Sequence, residues 1–338
     1  MNYWQVMAGS YSREYADAFL KFGLAFVGGD RHIRTIQDVA EDDRILLKQG
    51  NSHVVAVGRA VKRDGKVAGK DDKQWLRDFD GWDLAGYCNV EWHQLSKPRA
   101  VKGLTRVTIQ GVNQRHLHFL AEDVLASVPA TVSEPEPKLT KELTDEQIVE
   151  SLIAIGLRPT AAEGLTEQFR RIRRLAHYYY YHSRWEDVRE HETRTFLIIP
   201  LLLALGWSEQ QIKIELTTVD RGRIDVACFK SPYSWNEEKQ AANVEDCTLL
   251  LESADFSSGL NYKPGQVVRY AAGFPSCRVL FVSNGYCYKA YSRSAKGAFD
   301  MTRPTAYINI TAPRDRYPLD PDHVAGALEA IRWLMPPR

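Results

Sequence analysis

The segment TLLLESADFSSGL, Thr248 to Leu260, constrains this chain more than any other. Leu249–Leu251 is an apolar run that reads as a buried strand, and it delivers a carboxylate, Glu252, at its end. Two more acids sit in comparable places. Asp225 interrupts the strand-like RIDVACF, and Glu192 lies at the polar start of EDVREHETRTFLIIPLLLALGW, a helix that turns apolar all round before Gly206. Ionised carboxylates beside buried strands are costly unless something pairs with them. Three that converge would need a cation, and hard oxygen ligands with open positions suit Mg²⁺ or Mn²⁺. Taken singly, Asp225 reads equally as a turn or cap residue and Glu252 as a solvated strand end.

A helix acid, a strand acid and then a strand acid-x-basic pattern is the order found in PD-(D/E)XK nucleases. HETRTFLIIPLLLALGW, GRIDVACF, LLLESADFSSGL, GQVVRYA and VLFVSNGYCYKAY together resemble the N-terminal nuclease domain of type I restriction-enzyme motor subunits, over residues 186–336. The resemblance implies Asp225 and Glu252 as metal ligands, Glu192 as a catalytic helper, and Gln266 with Tyr270 as the Q-x-x-x-Y helix near the site, Tyr270 facing DNA. That family carries lysine two residues after the second acid, and here the position is Ala254. The expectation is that Ala254 replaces a natural lysine, giving a chain that binds DNA without cutting it; Lys263, beyond the flexible SSGLNY, is a possible substitute. Losing a group that positions or activates the attacking water costs about 10²–10⁴-fold in rate.

The 338 residues suffice for two domains. A net charge of +1 excludes nothing, because a nucleic-acid binder needs clustered rather than summed basic residues. Cys88, Cys228, Cys247, Cys277 and Cys287 show no C-x-x-C spacing, which argues against a zinc site or disulfide framework. The N-terminus lacks a signal-peptide pattern and the longest apolar run, Phe196–Leu205, is about half a membrane span; a cytoplasmic protein with no membrane partner is expected. No G-x-x-x-x-G-K-[ST] occurs, so no nucleotide-driven motor lies in this chain.

Four segments follow one another: residues 1–126 as an α+β unit, 127–143 as a Pro/Glu/Lys-rich linker, 144–184 as a basic helical connector opened by a capping box at Thr144 and Gln147, and 185–338 as the acid-bearing domain. In the first, NYWQVMAG, LAFVGG and RVTIQGV read as strands, SREYADAFLKFG as a helix capped by Ser12 and stopped by Gly23, and EDDRILLKQGNSHVVAVGRAVK as a hairpin. In the connector, Arg170, Arg173 and Arg174 share a helix face and suit phosphate contacts, or else pair with nearby glutamates on a solvated helix.

The Tyr-Trp opening strand, the D-x-I-L-L-K strand after an acidic turn and the neighbouring V-A-V-G resemble the PUA-like superfamily, which includes EVE and YTH domains, over residues 1–125. Several relatives hold a flipped modified base in an aromatic pocket. Trp4, Tyr11, Trp82 and Trp92 are the candidates, with core packing as the competing reading. The expected fold is two-domain, mixing α+β and α/β: a PUA-like β-barrel with helices, then a PD-(D/E)XK mixed sheet flanked by helices. The expected function is a Mg²⁺-dependent defence-type DNA endonuclease reading modified phage DNA, acting as a homodimer. The alternatives are a catalytically degenerate nucleic-acid-binding module and an RNA-directed nuclease.

Overall fold

The structure, a computed structural model, describes residues 1–9, 15–77, 79–82, 84–181, 187–217, 222–236, 241–260, 271–294, 297 and 299–337. The chain divides into two units, one from Met1 to Lys138 and one beginning at Leu139. Both mix helices with a sheet.

The first unit is built on a curled half-barrel sheet. Strand β1 (Tyr3–Met7) runs parallel to β3 (Arg44–Gln49), which forms the expected hairpin with β4 (His53–Ala60). The 15-residue β6 (Gly86–Ala100) pairs β4 along its later part and β2 (Leu24–Val27) along its start, so the sheet turns around this one strand. A register shift between Val54 and Ala56 adds to the bend. Gly58 permits the closest approach: any side chain there would run into Val90 and Trp92. Helix α1 (Ala16–Phe22) stops at Gly23, whose φ of 61° is the left-handed cap expected of glycine. An aromatic cluster of Phe19, Phe22, Phe26, Trp75 and Phe79 fills one side of the unit. Helix α2 (Arg115–Ser127) covers the other through Leu117, Leu120, Ala121 and Val124.

The expected linker is anchored at both ends. Glu134 and Glu136 pair with Lys21 and Lys73 of the first unit, whereas Thr140 and Leu143 bond to the backbone near Pro313 and Arg316 in the second. Beyond it, α3 (Asp145–Ala154) opens with the expected capping box. This helix and α4 (Pro159–Tyr181) belong to the second unit rather than to a separate connector.

The second sheet has the order β15-β14-β13-β12-β9-β8, namely β8 (Ile212–Thr217), β9 (Arg223–Phe229), β12 (Cys247–Ser253), β13 (Val279–Ser283), β14 (Cys287–Ser292) and β15 (Ala306–Asn309). Only β12 and β13 pair in parallel. The helical run that precedes it comprises Glu190–Thr193, a π turn over Arg194–Ile198, and Ile199–Ala204, ending at Gly206 with φ 105°. It is not apolar all round: Thr193, Arg194, Leu197, Ile198, Leu201 and Leu202 are buried while Thr195 and Phe196 are exposed. All five cysteines are buried and outside any disulfide. No helix among the described residues is long and apolar enough to cross a membrane.

Candidate active site

Strand pairing decides which acids meet. Val226 lies opposite Leu251 in the antiparallel β9–β12 pair, which places Asp225 opposite Glu252 on the same face of the sheet. The β8–β9 register, Ile214 to Val226 and Leu216 to Ile224, likewise sets Glu215 beside Asp225. Three carboxylates on three adjacent strands therefore form one row. Glu215 has φ 54°, a backbone state that costs a non-glycine residue about 1–3 kcal/mol and is typical of functional positions.

The helix adds Glu190 and Arg194, one turn apart. Arg194 is 4% exposed, and its guanidinium reaches Glu190 at 3.1 Å, Glu215 at 3.4 Å and Asp225 Oδ1 at 3.6 Å. Its Nε is buried and has no hydrogen-bond partner among the described residues. Glu192, the acid expected here, is instead spent on the helix end: its carboxylate accepts from the Arg189 backbone N–H at 3.1 Å. The helix acid beside Asp225 is Glu190.

The residues after Glu252 hold this arrangement together. The Ser253 N–H and hydroxyl donate to Asp225 Oδ2 at 2.7 and 2.9 Å, fixing one carboxylate oxygen. The Ala254 N–H donates to the Ser283 carbonyl, tying the chain to β13. Asp255 accepts from the Glu190 N–H at 2.9 Å, and the Phe256 N–H donates to the Val188 carbonyl. Ser253 and Ala254 thus fasten the end of β12 to its neighbouring strands, and Asp255 and Phe256 fasten it to the helix start. Ala254 itself is 2% exposed.

Crowding shows in the protonation of these groups. Burial, then the charge of Asp225, pushes Glu252 up to about 9. Burial and Asp225 likewise push Glu190 up to about 7, with Arg194 pulling the other way. The acids outnumber their counter-charges: Glu190, Glu215, Asp225 and Glu252 face Arg194, with Arg223 at 3.2 Å from Glu215. Four hard oxygen donor groups against two guanidinium groups, with Glu252 and in part Glu190 keeping a proton that a divalent cation would displace, are the chemistry such a cation takes, so the residues present fit the ion. No group of three or more His, Cys, Asp or Glu side chains among the described residues is already gathered around an ion-sized space. A cavity of about 550 Å³ in this unit opens at the other end of β12, by Thr248, Leu249, Arg278 and Trp333, and none of the four acids lines it.

The remaining expected positions separate clearly. Gln266, Tyr270 and Lys263 lie outside the described residues, as does Tyr11. Arg173 does not share a free face with its neighbours: it clamps Asp145 through two bonds of 2.7 Å and the Ile310 carbonyl through a third. Arg170 and Arg174 are exposed and share Glu167. Trp92 is 1% exposed with its N–H on the Leu24 carbonyl, so it is core and has no face to offer a base. Trp4 is half-buried and donates to Asp43, and half-buried Trp82 sits edge-on to Tyr15. Glu190, Glu215 and Arg194 were missed. Their signal was the stripe Glu190, Arg194, Leu197, Leu201, which puts an acid and a base on an otherwise buried helix face.

Against known proteins, no family model matches the chain and no curated protein matches it.

Proposed function

We propose that the chain is a metal-dependent nuclease of the PD-(D/E)XK type that acts on DNA, with a PUA-like first unit as its reader. The observation that carries this reading is the placement of Asp225 and Glu252 opposite each other on neighbouring strands, with Glu190 brought alongside by the preceding helix.

Asp225 and Glu252 would hold Mg²⁺ or Mn²⁺, which when bound supplies Lewis acidity toward a phosphate and lowers the pKa of its water. The protein's own residues do the rest. Ser253 holds one oxygen of Asp225, leaving the other facing the Arg194 guanidinium. Asp255 holds the helix start, so that Glu190 stays beside the strand acids. Arg170 and Arg174 present exposed charge to a phosphate backbone, and half-buried Trp4 and Trp82 are the remaining candidates for a modified base. Cutting both strands of a duplex requires two such sites, hence a homodimer on DNA.

Ala254 stands where this chemistry calls for a lysine. The test is Ala254→Lys, incubated with Mg²⁺ and phage-modified DNA, plain DNA and RNA. The expected outcome is cleavage of DNA, modified DNA fastest, at a rate about 10²–10⁴-fold above that of the chain with alanine. Cleavage of no substrate by a folded variant would make the chain a nucleic-acid-binding module, and cleavage of RNA alone would make it an RNA-directed enzyme.

A further inference from the structure

Arg194 is held differently from Arg173, another paired arginine of this unit. Arg173 makes two bonds of 2.7 Å to a single carboxylate, the geometry of a permanent clamp. Arg194 spreads over three carboxylates at 3.1, 3.4 and 3.6 Å and matches none of them in that way. Its side chain is 5% exposed, yet its Nε–H meets no acceptor among the described residues, which is costly for a buried charged group. Such a cation balances charge without being optimally bound. It stands where the acids converge, against Asp225 Oδ1, the oxygen that Ser253 leaves open.

We propose that the ion-holding set is Glu190, Asp225 and Glu252, and that Arg194 is a resident counter-cation which an arriving divalent ion displaces from Asp225. This rests on the metal-dependent reading above and goes beyond it, naming the third acid and the competing charge. In the ion-free protein Arg194 offsets repulsion among carboxylates that would otherwise be forced apart. When an ion engages Asp225 and Glu252, Arg194 retains Glu190 and Glu215 within reach, so its charge is not stranded. Glu192 has no part, since its carboxylate closes the helix cap.

The experiment is titration of the full-length protein with Mn²⁺, free ion being read by electron paramagnetic resonance. Glu190→Gln should weaken binding about tenfold or more and Glu192→Gln should change it less than about twofold, because only the former removes a charge beside the ion. Arg194→Gln should tighten binding about tenfold, by removing a like charge that competes for Asp225. The reverse order of the two glutamate variants, or weaker binding in Arg194→Gln, overturns the proposal. Should Arg194→Gln fail to fold, the unaltered chain decides: the Arg194 ¹⁵Nε resonance should move on adding Mg²⁺ with the midpoint of ion binding, and a resonance that stays put overturns displacement. The two readings fail separately. The expected Mn²⁺ pattern with no cleavage by Ala254→Lys would remove the nuclease and leave the ion site. Cleavage by Ala254→Lys with Glu190→Gln binding Mn²⁺ normally would do the opposite.

Discussion

At the scale of single residues, the first unit hides a charge as unusual as those of the acid row. Lys48 ends the D-x-I-L-L-K strand 1% exposed, its ammonium donating to the Thr105 carbonyl, and burial pushes its pKa down to about 8. An unfolded lysine titrates near 10.4, so between pH 8 and that value the unfolded chain binds more protons than the folded one. Stability contributed through this group therefore rises with pH across that window, and the cost of burying the charge, up to ~3 kcal/mol, is fully present below it. Lys48→Met escapes the cost but leaves Thr105 without its donor. The stability of the unaltered chain relative to Lys48→Met should improve by ~2–3 kcal/mol from pH 7.5 to 10.5, measured by urea unfolding at each pH. A constant difference would show that the ammonium is not desolvated. That Lys48 is buried was not legible, because an apolar run ending in lysine reads equally as a strand reaching solvent. Asp43, at the other end of the same strand, has a plainer role. Burial opposes its charge, but N–H donors from Trp4, Asn2 and Ala40 outweigh that and hold it below the usual carboxylate range.

At the scale of elements, the strands of the second sheet were largely legible and the helix that meets them was not. RIDVACF, VLFVS and YCYKAYS are dense in β-branched and aromatic residues, CTLLLES carries a short apolar run, and each became a strand. Which helix acid faces them depends on rotation about the helix axis. Glu190 and Glu192 are two residues apart and so point to opposite sides, and reading the helix as uniformly apolar discards that phase. In the first unit, β6 is not legible because its later half is exposed and contains Pro98, and α2 is absent from the sequence reading although it carries a plain i, i+3, i+4, i+7 stripe. The π turn has an identifiable seat. Gly285, φ 94° in the Asn-Gly turn after β13, lies so near that a Cβ would stand 2.5 Å from Leu197 Cδ1 and 2.9 Å from Thr193 Cγ2. Gly285→Ala should cost ~2–4 kcal/mol from strain and overpacking together, and should weaken Mn²⁺ binding by shifting Glu190 and Arg194 off the strands. Gly297→Ala, at φ 80° with open space around it, is the control and should cost only the backbone part, ~1 kcal/mol, with Mn²⁺ binding unchanged. Equal effects of the two on ion affinity would mean that the turn does not position the helix.

At the scale of the whole molecule the question is how a chain with 44 basic and 43 acidic residues would hold DNA. Sequence alone offers four arginines within Arg170–Arg174, and periodicity groups three of them on one face. The structure takes Arg173 from that group, because Asp145 at the start of the neighbouring helix and the Ile310 carbonyl engage all three of its guanidinium nitrogens. Such a pairing is between elements and leaves no trace in local spacing. Arg170 and Arg174 remain, with Glu167 offsetting one of the two charges. A face this small neutralises few phosphates. With about three contacts, affinity should fall ~40-fold between 50 and 200 mM salt, far less than the 10³–10⁵-fold of a binder making six to ten. Arg170→Ala and Arg174→Ala should each reduce the slope of log affinity against log salt by about one, uniformly across sequences. Arg173→Ala should leave the slope alone and instead lower stability by ~2–4 kcal/mol, since it strands the mostly buried Asp145 carboxylate. Fluorescence anisotropy across a salt series, with thermal melts of the same variants, separates the two effects. A steep slope that survives both exposed-arginine substitutions would move the DNA-binding surface away from this helix altogether, because the phosphate contacts would then have to come from elsewhere on the chain.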